Sequence, residues 1–254
     1  MLRTILERLS REIVLKRKLP SLLGGESIFV SPGVALRFWH FNLETVDPVL
    51  FKVARELVRT GDVVWDIGSS VGLFTFASAF VAGPHGRVLS VEPDNWTATL
   101  LSNSSKKMSN RVAPIDILRV AISDTPGIAE FIIARRGRAG NFLKESGGST
   151  QTNGMAESEL VLTVTLDWLL ERYPPPSVLK IDVEGAEEKV LRGATKILST
   201  IQPRIMVEVY PQSKSNVTEI LMRYGYKLYD AEIDPENRET LDSAVFNTIA
   251  YPSA

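Results

Sequence analysis

Three charged side chains alternate with aliphatic ones in the stretch between residues 178 and 184. Lys180, Asp182 and Glu184 are each separated by a single aliphatic residue. Because side chains alternate across a β-strand, the three charges are expected on one side of the chain. Charges on a buried strand are costly. We therefore expect Lys180 to reach outward and both acids to emerge at the carboxyl end of the strand, where open α/β sheets bind ligands.

A third acid, Glu208, follows the apolar run of residues 205–207 and is expected at a neighbouring strand end. Together with Asp182 and Glu184 it could position or deprotonate a hydroxyl group. Asp182 and Glu208 would also be the ligands of a hard divalent ion if one were bound. Two acids alone do not fix a coordination shell, and we expect no metal site. Binding an amine of a ligand and capping helix N-termini stay open as alternative roles for Asp182 and Glu208.

An upstream pattern is typical of a nucleotide-binding turn. An apolar run reaches Asp66, the following turn contains Gly68 and Gly72, and residues 73–80 have the composition of an apolar helix. The glycines would let a ligand approach the backbone, and the N-terminus of the helix offers free N–H groups. A second apolar run ends in Glu92, whose carboxylate can accept both ribose hydroxyls of a nucleoside. The order of these features predicts a βαβ nucleotide-binding unit.

The elements that position these residues alternate along the chain, which predicts one α/β domain. The periodicity predicts further helices over residues 47–59, 95–107, 166–171, 186–198 and 213–224, and strands over residues 115–122, 127–134, 160–165, 205–209, 226–229 and 245–251.

One long segment, residues 135–158, is rich in Gly, Ser and charged residues and has almost no periodicity. A loop of this length in a compact domain is usually functional or disordered. It is either a lid whose Arg135, Arg136 and Arg138 meet an anionic substrate, or a solvated insertion.

Residues 1–45 are expected to form an extension of the main domain, which spans residues 46–254. Apolar side chains at helical spacing predict an amphipathic helix over residues 1–18. This helix either docks on its own domain or across a homo-oligomer, or it lies on an anionic membrane surface or a partner. A hairpin around residues 31–33 is expected next.

Residues 37–41 combine Arg, Phe, Trp, His and Phe, and they form either a wall of a substrate pocket or aromatic core. Within them, His40 is a further candidate general base, because imidazole titrates near neutral pH. A structural role is the alternative for a lone histidine.

Composition excludes several classes of protein. The chain has 254 residues, a formal net charge of −1 and no cysteine. A globally basic nucleic-acid-binding surface is therefore not expected, and disulfides, thiolate metal sites and a cysteine nucleophile are excluded. Neither a signal peptide nor a membrane span is visible, and we expect a cytoplasmic location.

The order of these motifs resembles that of FkbM-type methyltransferases. The resemblance covers roughly residues 62–250, and its most specific part is the string Lys-Ile-Asp-Val-Glu-Gly-Ala-Glu at residues 180–187. It also includes Asp66-x-Gly68-x-x-x-Gly72, Glu92-Pro93, Ala121-Ile-Ser-Asp124, Leu166-Asp167 and Glu208. The chain departs from many members at Ser69-Ser70, where they carry Ala-Asn.

The resemblance implies a Rossmann-like class I fold, with a mostly parallel seven-stranded sheet and helices on both faces. It also implies S-adenosylmethionine as cofactor and O-methylation of a hydroxyl group on a small molecule, sugar or natural product. The turn at Ala121-Ile122 matches the place where related enzymes hold adenine. The cofactor-binding residues that it implies are Asp66, Gly68, Ser69, Ser70, Gly72, Glu92, Pro93, Ala121, Ile122 and Asp182.

Two other classes of protein stay open on the sequence alone. A nicotinamide-dependent oxidoreductase would use the same turn and acid, although the chain lacks a Gly-x-Gly-x-x-Gly spacing. A non-catalytic nucleoside-binding module is the other alternative. The acceptor itself is not readable from the motifs, and residues 26–46 and 135–158 are expected to select it.

Overall fold

The computed structural model describes Ser10 and residues 12–135, 137–147 and 155–253, with only the backbone described for residues 155 and 156. The strands are β1 Leu15–Lys18, β2 Ser27–Val30, β3 Val63–Ile67, β4 Arg87–Val91, β5 Ile115–Leu118, β6 Ala121–Ile122, β7 Gly127–Ala134, β8 Phe142–Leu143, β9 Met155–Val164, β10 Val178–Ile181, β11 Arg204–Glu208, β12 Tyr226–Asp230 and β13 Asn247–Pro252. The α-helices are α1 Pro48–Leu57, α2 Leu73–Ala82, α3 Asn95–Ser105, α4 Leu166–Leu170, α5 Glu187–Arg192 and α6 Lys214–Arg223.

A central seven-stranded sheet has the order β12-β13-β11-β10-β3-β4-β5. From β11 through β10, β3 and β4 to β5, each strand is parallel to the next one in the sheet. Strand β13 runs antiparallel to both β11 and β12. This arrangement confirms the predicted class I fold with a mostly parallel sheet. The chain leaves β3 toward β4 on one side and returns to β10 on the other, so a crevice opens at the carboxyl end of β3.

Helices cover both faces of this sheet, and alternate residues of β3 join different layers of the core. Val64 packs in one layer with residues of α1 and α2, whereas Trp65 and Ile67 pack in the other with residues of α4, α5 and α6. Strands buried on both faces consist of nearly continuous apolar residues. A charged residue in such a strand therefore needs a buried partner.

A second sheet of four strands, in the order β6-β9-β7-β8, lies beyond β5. The sequence predicted one strand over residues 115–122, which is wrong, because β5 ends at Leu118 and Ala121 pairs with Thr163 of β9. Even-numbered residues of β4 donate toward β5, and the next N–H in that row, of Asp94, donates to Oε1 of Glu92 instead. The chain therefore leaves the central sheet at Arg119.

The segment predicted as one irregular loop is partly regular. Turns of 3₁₀ helix at residues 138–140 and 144–146 flank β8, and β9 begins at Met155 rather than residue 160. Strand β8 pairs with β7 through Phe142 and Leu143. Arg136 and residues 148–154 lie outside the described residues.

The N-terminal prediction is corrected where the structure describes it. Residues 1–9 and 11 of the predicted helix lie outside the described residues, but Leu15–Lys18 is a strand, antiparallel to β2. Arg17 is buried there and donates hydrogen bonds to the carbonyls of Trp39 and His40, which fixes the extended backbone. The hairpin is therefore β1–β2, and the chain after Ser31 forms a 3₁₀ helix at Leu36–Trp39 instead of a returning strand.

The predicted helix over residues 186–198 is also divided. Helix α5 ends at Arg192, and a π-helical turn follows at Ile197–Ile201. The carboxylate of Asp167 accepts the N–H of Lys196, at 2.9 and 3.0 Å from its two oxygens, and thereby takes a donor that would continue α5. None of the helices in the described ranges is long and apolar enough to cross a membrane.

Candidate functional site

A cavity of about 550 Å³ lies at the carboxyl ends of the parallel strands. Ten of the residues that the sequence nominated line it: Gly68, Ser69, Ser70, Glu92, Pro93, Ala121, Ile122, Asp182, Glu184 and Glu208. Asp66 and Gly72 are nearby but do not line it, and His40 is exposed and does not line it either. The structure therefore unites the predicted nucleotide and acid residues in one space and leaves His40 outside.

The turn after β3 requires glycine for packing reasons. Gly68 has φ +76°, and a Cβ there would lie 1.7 Å from the carbonyl oxygen of Asp182. Gly72 has φ +87° at the start of α2, where a Cβ would lie 2.7 Å from the ring of Phe76. We expected both glycines to give a ligand access to the backbone, but only Gly68 borders the cavity.

The buried carboxylate of Glu92 closes this turn. Its Oε2 accepts the N–H of Ser70 at 2.7 Å, and its Oε1 accepts the N–H of Asp94 at 2.8 Å. Burial raises the pKa of Glu92 to about 7, and the neighbouring charge of Asp94 adds to the increase. Because each carboxylate oxygen has a second lone pair, both can still accept a hydroxyl of a ligand.

Apolar side chains form the wall next to Glu92. Ala121 and Ile122 of β6 line it together with Phe131 of β7 and Leu143 of β8. The second sheet thus supplies a flat apolar slot, which suits a planar base attached to a ribose at Glu92.

A short segment of residues 137–147 is fastened to the same side of the cavity, and we call it the strap. Oδ2 of the buried Asp94 accepts Arg138 Nη1 and Asn141 Nδ2, both at 2.7 Å. The N–H groups of Arg138 and Ala139 donate to the carbonyls of Gly33 and Val34. Arg138 is thus neutralised by Asp94 and not left to meet an anionic substrate, as one prediction supposed, and Arg135 does not line the cavity.

Lys180 does not reach outward as the sequence predicted; its side chain is only 3% exposed. Its Nζ donates to the carbonyl of Gly68 at 2.9 Å and lies 3.3 Å from Asp66 and 3.2 Å from Asp182. Burial alone would lower the pKa of Lys180, but the negative charges of Asp182, Asp66 and Glu208 raise it above its ordinary value. The lysine therefore stays charged and joins the ends of β3 and β10.

The three acids Asp182, Glu184 and Glu208 border the cavity opposite Glu92. Burial and the charge of Asp182 raise the pKa of Glu184 to about 8. The same two causes, in the same order, raise the pKa of Glu208 well above its usual range. Close carboxyl groups that share a site cannot all ionise readily, so both glutamates ionise less readily than ordinary ones.

The backbone around Glu184 is held in an uncommon conformation. Glu184 has φ +52°, which non-glycine residues rarely adopt. The carboxylate of the buried Glu187 accepts the N–H of Gly185 at 2.7 Å and the hydroxyl of Ser213 at 2.6 Å. Glu187 is thus a structural anchor that aims Glu184 into the cavity, in keeping with strain stored at functional sites.

Within the described residues no group of three His, Asp or Glu side chains is arranged to hold a metal ion. Asp182, one of the two ligands considered from the sequence, instead has the Lys180 ammonium 3.2 Å from its Oδ2. The positive charge next to this acid is supplied by the chain itself.

Several lining residues were not nominated from the sequence. Tyr210, Phe246, Asn247 and Asp47 complete the acid half of the cavity, where Arg37 and Phe38 represent the predicted aromatic wall. Asn247 is the register partner of Glu208. Tyr210 lies two residues beyond Glu208, which is the one signal in the sequence that could have found it.

The chain is similar to known proteins in both sequence and fold. The Methyltransferase FkbM domain family matches residues 66–228. The hexuronic acid methyltransferase AglP of Haloferax volcanii is 27% identical over 173 residues, which cover 68% of this chain and 66% of that protein, just under two thirds of its length.

Two solved structures are similar in fold. A methyltransferase FkbM from Methylobacillus flagellatus has a TM-score of 0.50 at 14% identity, covering 79% of this chain and 50% of that one. A precorrin-6y C5,15-methyltransferase from Geobacter metallireducens has a TM-score of 0.49 at 14% identity, covering 83% and 88%.

Proposed function

The chain belongs to the FkbM methyltransferase family, whose members depend on S-adenosylmethionine, and on that premise we propose that it methylates a hydroxyl group of a sugar or another small molecule. One observation carries the proposal. A single cavity joins a nucleoside-shaped half, at Glu92 and β6, to a cluster of three acids, Asp182, Glu184 and Glu208. A donor and an acceptor could therefore meet inside it.

The residues present fit S-adenosylmethionine. Glu92 would accept the ribose hydroxyls, and the slot at Ala121 and Ile122 would hold the adenine. Gly68 borders the space for the amino-acid end, and Asp182 has a free edge, since its side chain is 24% exposed. The buried and oriented carboxylate of Glu92 is the strongest reason for this fit, because an acid at that strand end is typical of nucleoside recognition.

When bound, the cofactor supplies a methyl group that is already electrophilic. The chain must then hold the hydroxyl oxygen in line with that group and exclude water. It must also accept the hydroxyl proton during transfer. Glu184 suits the second task, because a carboxylate with a pKa of about 8 is a stronger base than an ordinary glutamate. Asp182 then orients the cofactor or the hydroxyl, and Glu208 helps to bind the released proton.

A hexuronic acid is the first acceptor to examine. The archaeal relative is a hexuronic acid methyltransferase, and the mouth of this cavity carries Arg37. Its guanidinium is half-exposed, donates to the carbonyl of Val46 at 3.3 Å and forms a long ion pair with Asp47 at 3.7 Å. An acceptor carboxylate could compete with Asp47 for this cation, whereas Arg138 and Lys180 have shorter and more buried ion pairs.

The alternatives from the sequence are less well supported. The family match and the methyltransferase relative favour a methyl donor over a nicotinamide cofactor. A non-catalytic binding module would bind S-adenosylmethionine without turnover, and the acid cluster gives no reason for such a role.

The deciding experiment is a transfer assay with methyl-labelled S-adenosylmethionine and a panel of hexuronic acids, hexoses and non-sugar polyols. We expect label in at least one sugar. Mild base hydrolyses a methyl ester but not a methyl ether, so this label should survive treatment with mild base. Label in a base-labile product would move the reaction to a carboxylate acceptor. Glu219→Gln, an exposed acid on α6, is the matched control for acid substitutions.

A further inference from the structure

We propose that Phe246, held edge to face by Tyr210, forms a stacking platform for a saturated sugar ring, so that the acceptor subsite selects a pyranose or a similar ring by its C–H face. The proposal rests on the proposed function, because it describes the acceptor half of the same cavity. Neither residue belongs to a sequence motif that carries the family resemblance.

The two rings form a fixed pair at the cavity edge. Their centroids are 5.5 Å apart and their planes meet at 77°, an edge-to-face contact, so only one of the two rings can lie parallel to a bound sugar ring. Both rings line the cavity, and Phe246 is 46% exposed although it directly precedes a buried strand. An exposed large aromatic side chain inside a concave site is a candidate for ligand contact.

The backbone beneath the pair is rigid. The carbonyl of Phe246 accepts the N–H of Val209 at 2.7 Å, and Tyr210 is the next residue in the chain. This hydrogen bond joins the ends of β11 and β13, so both rings are held by the central sheet. A platform that is already ordered loses little conformational entropy when a ligand binds.

The chemistry around the platform suits a ring that carries several hydroxyl groups. The negative face of an aromatic ring attracts polarised C–H bonds, and one face of a pyranose presents such bonds together. Glu184, Glu208 and Asn247 supply acceptors and donors at the edge of the same space. Burial and the charge of Asp182 raise the pKa of Glu184 to about 8, so this side chain can present either a hydroxyl or a carboxylate oxygen near neutral pH.

The charge of the cavity argues against a phosphorylated or nucleic acid acceptor. Its lining contains the acids Asp47, Glu92, Asp182, Glu184 and Glu208 against the bases Arg37, Arg138 and Lys180. Arg138 and Lys180 are paired with Asp94, Asp66 and Asp182. One cation at the mouth is compatible with a neutral sugar or with a single carboxylate.

Phe246→Ala and Phe246→Leu test the platform, with Phe246→Tyr as the conservative variant. Phe246→Ala and Phe246→Leu both remove the ring, and we expect each to raise the KM for a sugar acceptor about tenfold, which corresponds to the loss of one aromatic stacking contact. Phe246→Tyr should restore the wild-type KM, and the Kd for S-adenosylhomocysteine should stay within about twofold. Phe41→Leu, an exposed aromatic outside the cavity, is the matched control.

Saturation-transfer NMR gives a readout that does not need turnover. The probes are methyl β-D-glucuronide and methyl β-D-glucopyranoside added to the complex with S-adenosylhomocysteine. We expect the C–H protons of one ring face to receive most saturation in wild-type protein and little in Phe246→Leu. A wild-type KM in Phe246→Leu, or uniform saturation around the ring, would overturn the platform.

The failure of the platform can be told from the failure of the proposed function. Sugar methylation with an unchanged KM in Phe246→Ala leaves the function standing and removes the platform. Face-selective binding of the glycosides without methylation of any sugar supports the platform and contradicts sugar O-methylation. If neither glycoside binds to the wild-type complex, the platform is wrong.

Discussion

At the scale of the single residue, Glu92 is the proposed ribose-binding group of the cavity. It is buried at the end of β4 and holds the turn after β3 through the N–H of Ser70. Its carboxylate lines the cavity together with that turn and the apolar slot of the second sheet. Affinity for the cofactor is therefore expected to depend on this side chain.

We predict that Glu92→Ala weakens binding of S-adenosylmethionine by about 1.5–3 kcal/mol, the range for charged hydrogen bonds. Calorimetry measures the affinity, and a melting curve establishes that the variant is folded. Glu219→Ala changes an exposed acid on α6 and should leave the affinity unaltered. Unchanged binding in a folded Glu92→Ala protein would remove the ribose assignment.

The pH dependence of binding follows from the same group. The pKa of Glu92 is raised to about 7, so the carboxylate becomes protonated as the pH falls below neutrality. Only the ionised form can accept from both ribose hydroxyls with both oxygens. We predict that affinity for S-adenosylhomocysteine falls toward acid pH, by up to about tenfold per unit below pH 7. A flat profile between pH 5.5 and 8 would contradict this linkage.

The acids of the acceptor half are separated by amide substitutions. We predict that Asp182→Asn and Glu184→Gln fold but lose turnover by roughly 10²–10⁴, the range for general acid–base catalysis. Asp182→Asn should also weaken cofactor binding, whereas Glu184→Gln should not. In wild-type protein, kcat should rise with pH through the pKa of Glu184, near 8, because the base must be deprotonated.

EDTA and the Glu208→Gln variant test whether a metal ion is needed and whether Glu208 takes part in the reaction. If a divalent ion joined Asp182 to Glu208, EDTA would abolish activity reversibly and Glu208→Gln would resemble Asp182→Asn. Activity that survives both treatments would make Glu208 structural. Full activity of Glu184→Gln would mean that the base lies elsewhere, and His40→Ala would then be the next variant, although His40 is exposed outside the cavity.

Residue types at strand ends were predictable, but their partners were not. Glu92 and Glu184 could be nominated because an acid that ends an apolar run has few other places to lie. The burial of Lys180 could not be foreseen, since it depends on its register with Asp66 on β3. Tyr210 and Phe246 meet only because β11 pairs with β13.

At the scale of the element, the strap carries a prediction about closure. Residues 135–158 were expected to be either a lid or a solvated insertion, and in the structure Arg138 and Asn141 fasten the strap to Asp94. We predict that Asn141→Ala increases the rate of proteolytic cleavage within the strap, because Asp94 loses one of its two strap partners. An acceptor with S-adenosylhomocysteine should protect the wild-type strap more than the variant.

Glu145→Ala is the control for this prediction, since its ion pair with Lys189 is exposed and contributes little. Mass spectrometry locates the cleavage sites. Equal protease resistance with and without ligands, in both wild-type and Asn141→Ala protein, would count against a lid.

The boundaries of elements were the least predictable feature of the fold. The strand predicted over residues 115–122 is mostly apolar, and pairing stops where the N–H of Asp94 on the neighbouring strand end turns to the side chain of Glu92. The helix predicted from residue 186 was cut by the carboxylate of Asp167, which lies on a different element. Local pattern predicts the type of an element, whereas tertiary contacts decide where it ends.

At the scale of the whole molecule, the N-terminal segment shares the core of the main domain. Leu19, Leu23, Ile28 and Val30 pack in the same layer as α1 and α2. Residues of this segment also provide the strap with backbone acceptors, at Gly33 and Val34. The segment therefore contributes to stability as well as to the shape of the cavity.

Substitution of two neighbouring leucines measures what this segment contributes to stability. Leu23 is 1% exposed and Leu22 is 65% exposed. We predict that Leu23→Ala lowers the free energy of unfolding by about 2–5 kcal/mol, the cost of a buried leucine. Leu22→Ala should change it by less than about 0.5 kcal/mol. Urea denaturation measures both values, and equal stability of the two variants would mean that residues 19–30 fold independently of the core.

The overall architecture was predictable because its signals repeat along the chain. Four apolar runs each predict a strand whose carboxyl end lies at the same edge of the central sheet. These runs end in Asp66, Glu92, Asp182 and Glu208. The second sheet left no such signal, since β6 has two residues and pairs with β9 across a long separation.

The burial of Lys180 has a consequence for how the protein responds to ionic strength. Mobile ions screen charges that face water far more than charges enclosed by protein. The ammonium of Lys180 is 3% exposed, whereas the Arg37 side chain at the mouth is 51% exposed. Added salt should therefore leave the donor half of the cavity nearly unaffected and weaken the capture of a charged acceptor, so that the two halves of one reaction respond differently to the same solution.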